Sequence, residues 1–130
     1  MVRSKGLPFA AISAGAWEGK GAWARLRGLA QLLRGLWQSW LLAGRERPDA
    51  LLVTGGYVSV PAALGAWLRR VPLFIYLPDL RPGKAVRFLA PLARRIAVSA
   101  PEAAQALPRS KVTLTGYPVR PEVRRAERSR

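Results

Sequence analysis

The chain contains no cysteine and no histidine. The first absence removes disulfides and thiol nucleophiles and fits a cytosolic address; together the two remove the common zinc sites, and the second removes imidazole acid/base catalysis. Acids are scarce as well: Glu18, Glu46, Asp49, Asp79, Glu102, Glu122 and Glu127 stand against 22 Lys/Arg, a formal net charge of +15. Chemistry therefore rests on carboxylates, hydroxyls, Lys/Arg and backbone groups, and such a charge seeks polyanions: nucleic acid, an anionic membrane or a phosphorylated substrate. No apolar run reaches the roughly 18 residues of a membrane span. The nearest stretch, 21–43, is broken by Arg25, Arg27, Gln31, Arg34 and Gln38. Near the amino terminus Pro8 falls early in a short apolar patch and positive charges are few, which argues against a secretory signal.

What the chain does have is material for one modest domain, 130 residues of which 50% are apolar. Short apolar runs at 7–13, 49–54, 71–77, 95–99 and 111–116 read as strands, and longer periodic stretches at 22–43, 59–70, 83–93 and 101–107 read as helices. The strands are continuously apolar, as parallel strands covered on both faces are. This alternation predicts an α/β fold, a doubly wound Rossmann-like parallel sheet of about five strands. The domain is expected over 1–120, with a basic tail over 121–130.

Three stretches carry candidate chemistry. In 50–68 a strand ends in Gly55-Gly56 and a helix begins near Ser59, placed to cap it, with Pro61 in the first turn. Either the glycines let backbone N–H groups approach an anion, or they make a tight turn without a ligand. Residues 22–43 place Leu26, Leu29, Leu33, Leu36, Trp37 and Trp40 on one side and Arg27, Gln31, Arg34 and Gln38 on another. With Trp23 this reads as a basic, membrane-surface amphipathic helix or as an ordinary sheet-covering helix. Trp67, followed by Arg69 and Arg70, repeats the pairing of tryptophan with base. Asp79, in IYLPDLRPG, either orients a hydroxyl or serves as a turn residue between prolines; Arg120 either clamps a phosphate or faces water.

Taken in order, GGYVS-x-P (55–61), AVS-x-PEAA (97–104) and TG-x-PVRPE (115–122) resemble the acceptor half of the MurG family, the peptidoglycan N-acetylglucosaminyltransferases of glycosyltransferase family 28. The resemblance runs from about Gly6 to Val123. It implies the incomplete N-terminal half of a GT-B fold, whose active site is the cleft between two Rossmann-like halves. It further implies a lipid-linked acceptor, undecaprenyl-diphosphate-MurNAc-pentapeptide (lipid I), received at the inner face of the bacterial plasma membrane by a peripheral cytoplasmic protein. UDP-GlcNAc is then held mainly by the other half, and transfer to the acceptor 4-hydroxyl inverts the anomeric centre without metal or other cofactor. Gly55, Gly56, Tyr57 and Ser59 match the family's second glycine-rich loop, which meets the acceptor diphosphate. Arg120 and Asp79 match donor-contact positions. Trp23, Arg27, Arg34, Trp37, Trp40 and Trp67 lie where the family carries a membrane-facing apolar patch ringed by cations.

This sequence departs from the family in three places. H-E-Q-N becomes Tyr76-Leu77-Pro78-Asp79, and N-P-V-R becomes Tyr117-Pro118-Val119-Arg120. The family's first strand and its GGTGGH loop, with the histidine proposed as base, have no counterpart here, nor does the donor domain. No catalytic residue can be assigned, and the expectation is a fragment, a truncated frame or one subunit of a split enzyme, inactive alone. The alternative is a non-catalytic membrane-docking subunit that recruits a separate donor-domain chain.

A nucleic-acid binder, suggested by charge alone, is not expected, because the tryptophans sit in leucine-rich helices without the basic-aromatic strand pattern of single-strand binders. The chain should be retained on anionic liposomes in a salt-sensitive way but not on DNA of matched charge; the reverse preference would restore the nucleic-acid reading.

Overall fold

The computed structural model describes residues 9–13 and 22–118. Helix α1 (Ala22–Glu46) leads into β1 (Leu51–Val53), followed by α2 (Ser59–Leu68), β2 (Leu73–Leu77), α3 (Lys84–Leu89), β3 (Arg95–Val98), α4 (Pro101–Ala104), a 3-10 turn (Arg109–Lys111) and β4 (Val112–Leu114). All strand pairs are parallel and the order is β1-β2-β3-β4. The expected α/β, Rossmann-like sheet forms. It holds four strands among the described residues rather than about five, and the winding through them steps in one direction.

The strand expected at 7–13 accounts for the difference. Its described part, 9–13, joins no ladder. Instead the Ser13 N–H donates to Gln38 Oε1 at 2.8 Å, and a Cβ added at Gly35 would collide with the Ser13 carbonyl oxygen. The segment's backbone is engaged by α1 rather than by a neighbouring strand.

Strand side chains alternate between faces, and the register collects Val53, Leu73, Ile75, Leu77, Ile96 and Val98 on one of them. These residues form the core with Ala63 of α2, Val86 and Leu89 of α3, and Ala103 of α4. The other face carries Leu52, Phe74, Tyr76 and Ala97; Leu52 is 65% exposed and the other three are half-buried.

The contact between α1 and α2 is made by small residues. Gly35, Ser39 and Ala43, one turn apart on α1, are buried against α2, where Pro61, Gly65 and Ala66 are buried in turn. A Cβ at Gly65 would lie 2.5 Å from the Ser39 Cβ and 2.7 Å from the Trp40 amide nitrogen. Ser39, the one buried polar side chain among the described residues, satisfies its hydroxyl by donating to the Gly35 carbonyl at 2.7 Å. Gly35 meets Pro61, Ser39 meets Gly65 and Gly44 meets Arg69, so the two helices run parallel.

Replacing Gly65 by Val should destabilise the fold by about 1–3 kcal/mol or more, because the clash includes backbone that cannot rotate away. Gly83→Ala, at a site with nothing within 4 Å, should stay within about 0.5 kcal/mol of the parent. Chemical denaturation of the two variants measures the contrast.

Candidate functional site

Strands that run parallel and side by side deliver their following loops to one edge. Here that carboxyl edge carries residues 54–58 after β1, 78–83 after β2, 99–100 after β3 and 115–118 after β4. It is the usual ligand edge of open α/β sheets.

Gly55 and Gly56 have φ of 106° and 84°, a region closed to most side chains. Space matters only at the first: a Cβ on Gly55 would meet Val86 Cγ2 at 3.2 Å, whereas nothing lies within 4 Å of one on Gly56. The second glycine therefore serves backbone conformation and leaves open space above the loop. Ser59 does not cap α2 as expected. It is the first helical residue, with Val58 in the cap position and no side-chain cap hydrogen bond. Its hydroxyl instead donates to the Gly56 carbonyl at 2.6 Å, and its N–H donates to the same oxygen at 3.2 Å. Val60 N–H donates to the Tyr57 carbonyl at 3.2 Å. Among the described residues the N–H groups of Gly56, Tyr57 and Val58 have no acceptor. Three consecutive amides without an acceptor, beside glycines with positive φ, are donors available to an anion.

Asp79 is exposed on the neighbouring loop and forms no ion pair among the described residues. Arg81, in the same connection, and Lys84, the first residue of α3, are exposed at the same edge. Their position between a strand end and the next helix start is visible in the sequence. Arg120 lies outside the described residues. Tyr57, of the candidate loop, is exposed.

The tryptophans separate into two groups. Trp23 and Trp37 are 81% and 61% exposed; at helical spacing they share a stripe of α1 with the exposed Leu26, Leu33 and Leu41. Arg27 and Arg34, both exposed, flank that stripe, and Trp67 at the end of α2 is 44% exposed. Trp40 differs: half-buried, it stacks on Trp37 with ring centroids 5.3 Å apart and is covered by the Arg69 guanidinium 3.7 Å from its ring centre. The side expected to hold Leu36 and Trp40 together with Leu26, Leu33 and Trp37 is thus divided, because α1 rotates its small residues onto α2. Since Gly35 sits level with Pro61, the third residue of α2, the part of α1 before it, 22–34, reaches about 16 Å past the start of α2 on the side of the glycine loop. No helix among the described residues is long and apolar enough to cross a membrane.

The parallel α/β sheet has the Rossmann-like architecture of one half of a GT-B fold. A crystal structure of Acinetobacter baumannii MurG superposes with a TM-score of 0.74 at 23% identity, over 91% of this chain and 34% of that one. Residues 1–98 match the glycosyltransferase family 28 N-terminal domain, and the chain belongs to that family. It is 40% identical over 129 residues to the UDP-N-acetylglucosamine--N-acetylmuramyl-(pentapeptide) pyrophosphoryl-undecaprenol N-acetylglucosamine transferase of Moorella thermoacetica, covering 98% of this chain and 35% of that protein. Against the same enzyme of Geobacillus kaustophilus it is 36% identical over 122 residues, covering 94% and 34%. The chain thus spans about a third of the length of these relatives.

Proposed function

We propose that this chain is the acceptor-binding, membrane-associating part of an N-acetylglucosaminyltransferase of peptidoglycan synthesis. In this reading the diphosphate of an undecaprenyl-linked MurNAc-pentapeptide acceptor sits against the amides of Gly56, Tyr57 and Val58, with Ser59 holding the loop closed through the Gly56 carbonyl. The observation that carries it is the placement of those open amides beside the projecting part of α1, whose exposed stripe holds Trp23, Leu26 and Leu33. A lipid diphosphate needs both a phosphate cradle and an apolar surface within one molecule's reach. Arg27 and Arg34 are suited to anionic headgroups beside the stripe, which supports a peripheral position on the cytoplasmic face of the membrane. UDP-GlcNAc is held by a separate domain or chain, with Asp79 and Arg120 as the contributions from this side. The printed activities of the Moorella and Geobacillus relatives support the choice of donor and acceptor.

Two experiments test the reading. Undecaprenyl diphosphate in detergent micelles should bind the chain, and Gly56→Val should weaken binding by about tenfold, the scale of one lost charge-assisted hydrogen bond, while Gly83→Ala leaves it unchanged. Equal binding by Gly56→Val would remove the loop from the site. The purified chain given UDP-GlcNAc and the lipid-linked acceptor should transfer no sugar; turnover without a second protein would refute the assignment of the donor site elsewhere.

A further inference from the structure

The loop between β2 and α3 carries chemistry that the diphosphate contact does not use. Of the four loops at the carboxyl edge, 54–58, 78–83, 99–100 and 115–118, only this one is charged. It holds Asp79 and Arg81, and Lys84 follows directly as the first residue of α3. Glu102 stands in the first turn of α4, after the next strand. Asp79 is assigned to the donor above. Arg81 and Lys84 are exposed, and neither side chain has an acceptor among the described residues.

The backbone that carries Arg81 is held at both ends. Ser99 Oγ donates to the Pro78 carbonyl at 2.7 Å, which ties the start of the loop to the one after β3. At the far end Pro82 is buried, and Arg87 N–H closes the first turn of α3 on the Gly83 carbonyl at 3.0 Å. The two proline rings also fix φ on either side of the residues between them. Those residues nevertheless face outward: Asp79 and Arg81 are exposed, and Leu80 is 63% exposed. A tethered backbone that presents an apolar and a cationic side chain side by side, with no use for either in the core, is arranged for recognition. The strand before it is paired with the strand before the glycine loop, Ile75 beside Val53, about 5 Å apart.

We propose that Arg81, assisted by Lys84, takes a carboxylate of the peptide branch of the acceptor, with Leu80 against an apolar side chain next to it. The inference rests on the acceptor reading above and gives that site a second recognition element. The glycine loop meets the diphosphate, and the β2–α3 loop meets the peptide. On the proposed acceptor one sugar carries both groups, so a single molecule spans the two neighbouring loops. A carboxylate matches the planar guanidinium fork, whereas the uncharged sugar and the polyprenyl chain offer a cation nothing.

The test compares three ligands in detergent micelles: undecaprenyl diphosphate, undecaprenyl-diphosphate-MurNAc, and the same compound with its pentapeptide. The parent chain should bind the pentapeptide form about fivefold more tightly than the peptide-free sugar form, the scale of one exposed ion pair with good geometry. Arg81→Gln should cut that preference to less than twofold and leave undecaprenyl diphosphate binding unchanged. Lys84→Gln should lower the preference about twofold, and Arg87→Gln, an equal charge loss elsewhere on α3, should leave it intact. Converting the peptide carboxylates to amides should weaken binding to the parent and cost Arg81→Gln nothing further. The proposal is overturned if Arg81→Gln keeps the preference, or if it weakens undecaprenyl diphosphate equally, which would make Arg81 a phosphate ligand. Parental binding of undecaprenyl diphosphate with no gain from the peptide overturns this inference and spares the glycine-loop contact; failure of all three ligands to bind overturns both.

Discussion

The close packing of α1 on α2 is the constraint from which the other features follow. Two helices approach this tightly only where neither presents bulk, and Gly35, Ser39 and Ala43 facing Pro61, Gly65 and Ala66 meet that condition. A helix has one circumference. If its smallest residues are turned inward, its largest must face out, and Trp23, Leu26, Leu33, Trp37 and Leu41 do so. The apolar surface of this protein is therefore the geometric complement of its tightest internal contact. An ordinary sheet-covering helix distributes its residues the other way, with leucines inward and small or polar residues outward.

Length and direction supply the next step. With α1 parallel to α2 and more than twice as long, 25 residues against 10, the excess has to project from one end. The register set by Gly35, Gly65 and Gly44 sends it past the carboxyl edge, where the glycine loop lies. The glycine loop and the exposed apolar stripe of α1 thus come to the same edge through the alignment of two helices, although they lie more than twenty residues apart in the chain.

The two edges of the sheet differ because parallel strands and their helices are polar objects. The carboxyl edge receives the amino end of α2, where N–H groups point outward and anions are favoured. The amino edge receives the carboxyl ends of α1 and α2, where carbonyl groups and the negative end of the helix dipole favour cations. Arg45, Arg47, Arg69 and Arg70 gather there accordingly. Local electrostatics explains why basic residues collect at that edge; the positive φ of Arg47 and Arg70 is what distinguishes those two from the rest.

Much of this could be read before any coordinates. The apolar runs LLV, LFIYL and IAV mark the strands, although only one face of the sheet is fully buried and the expected cover on both faces is incomplete, with Leu52 exposed; the alternation with helices implies parallel order, and Gly55-Gly56 after a strand marks a loop whose backbone departs from what side chains tolerate. These features are local: periodicity, β-branching and backbone freedom act over a few residues, so the order of amino acids is enough to determine them. The run at 9–13 was misread for the same reason, since an apolar segment looks alike whether its backbone meets a strand or, as Ser13 does, a glutamine and a glycine of a helix. The division of the tryptophans between exposed and half-buried positions, and the turning of Ser59 onto the Gly56 carbonyl instead of the helix end, were decided only by tertiary structure. Each depends on which of several helix faces meets a neighbour, and that choice is made by long-range packing.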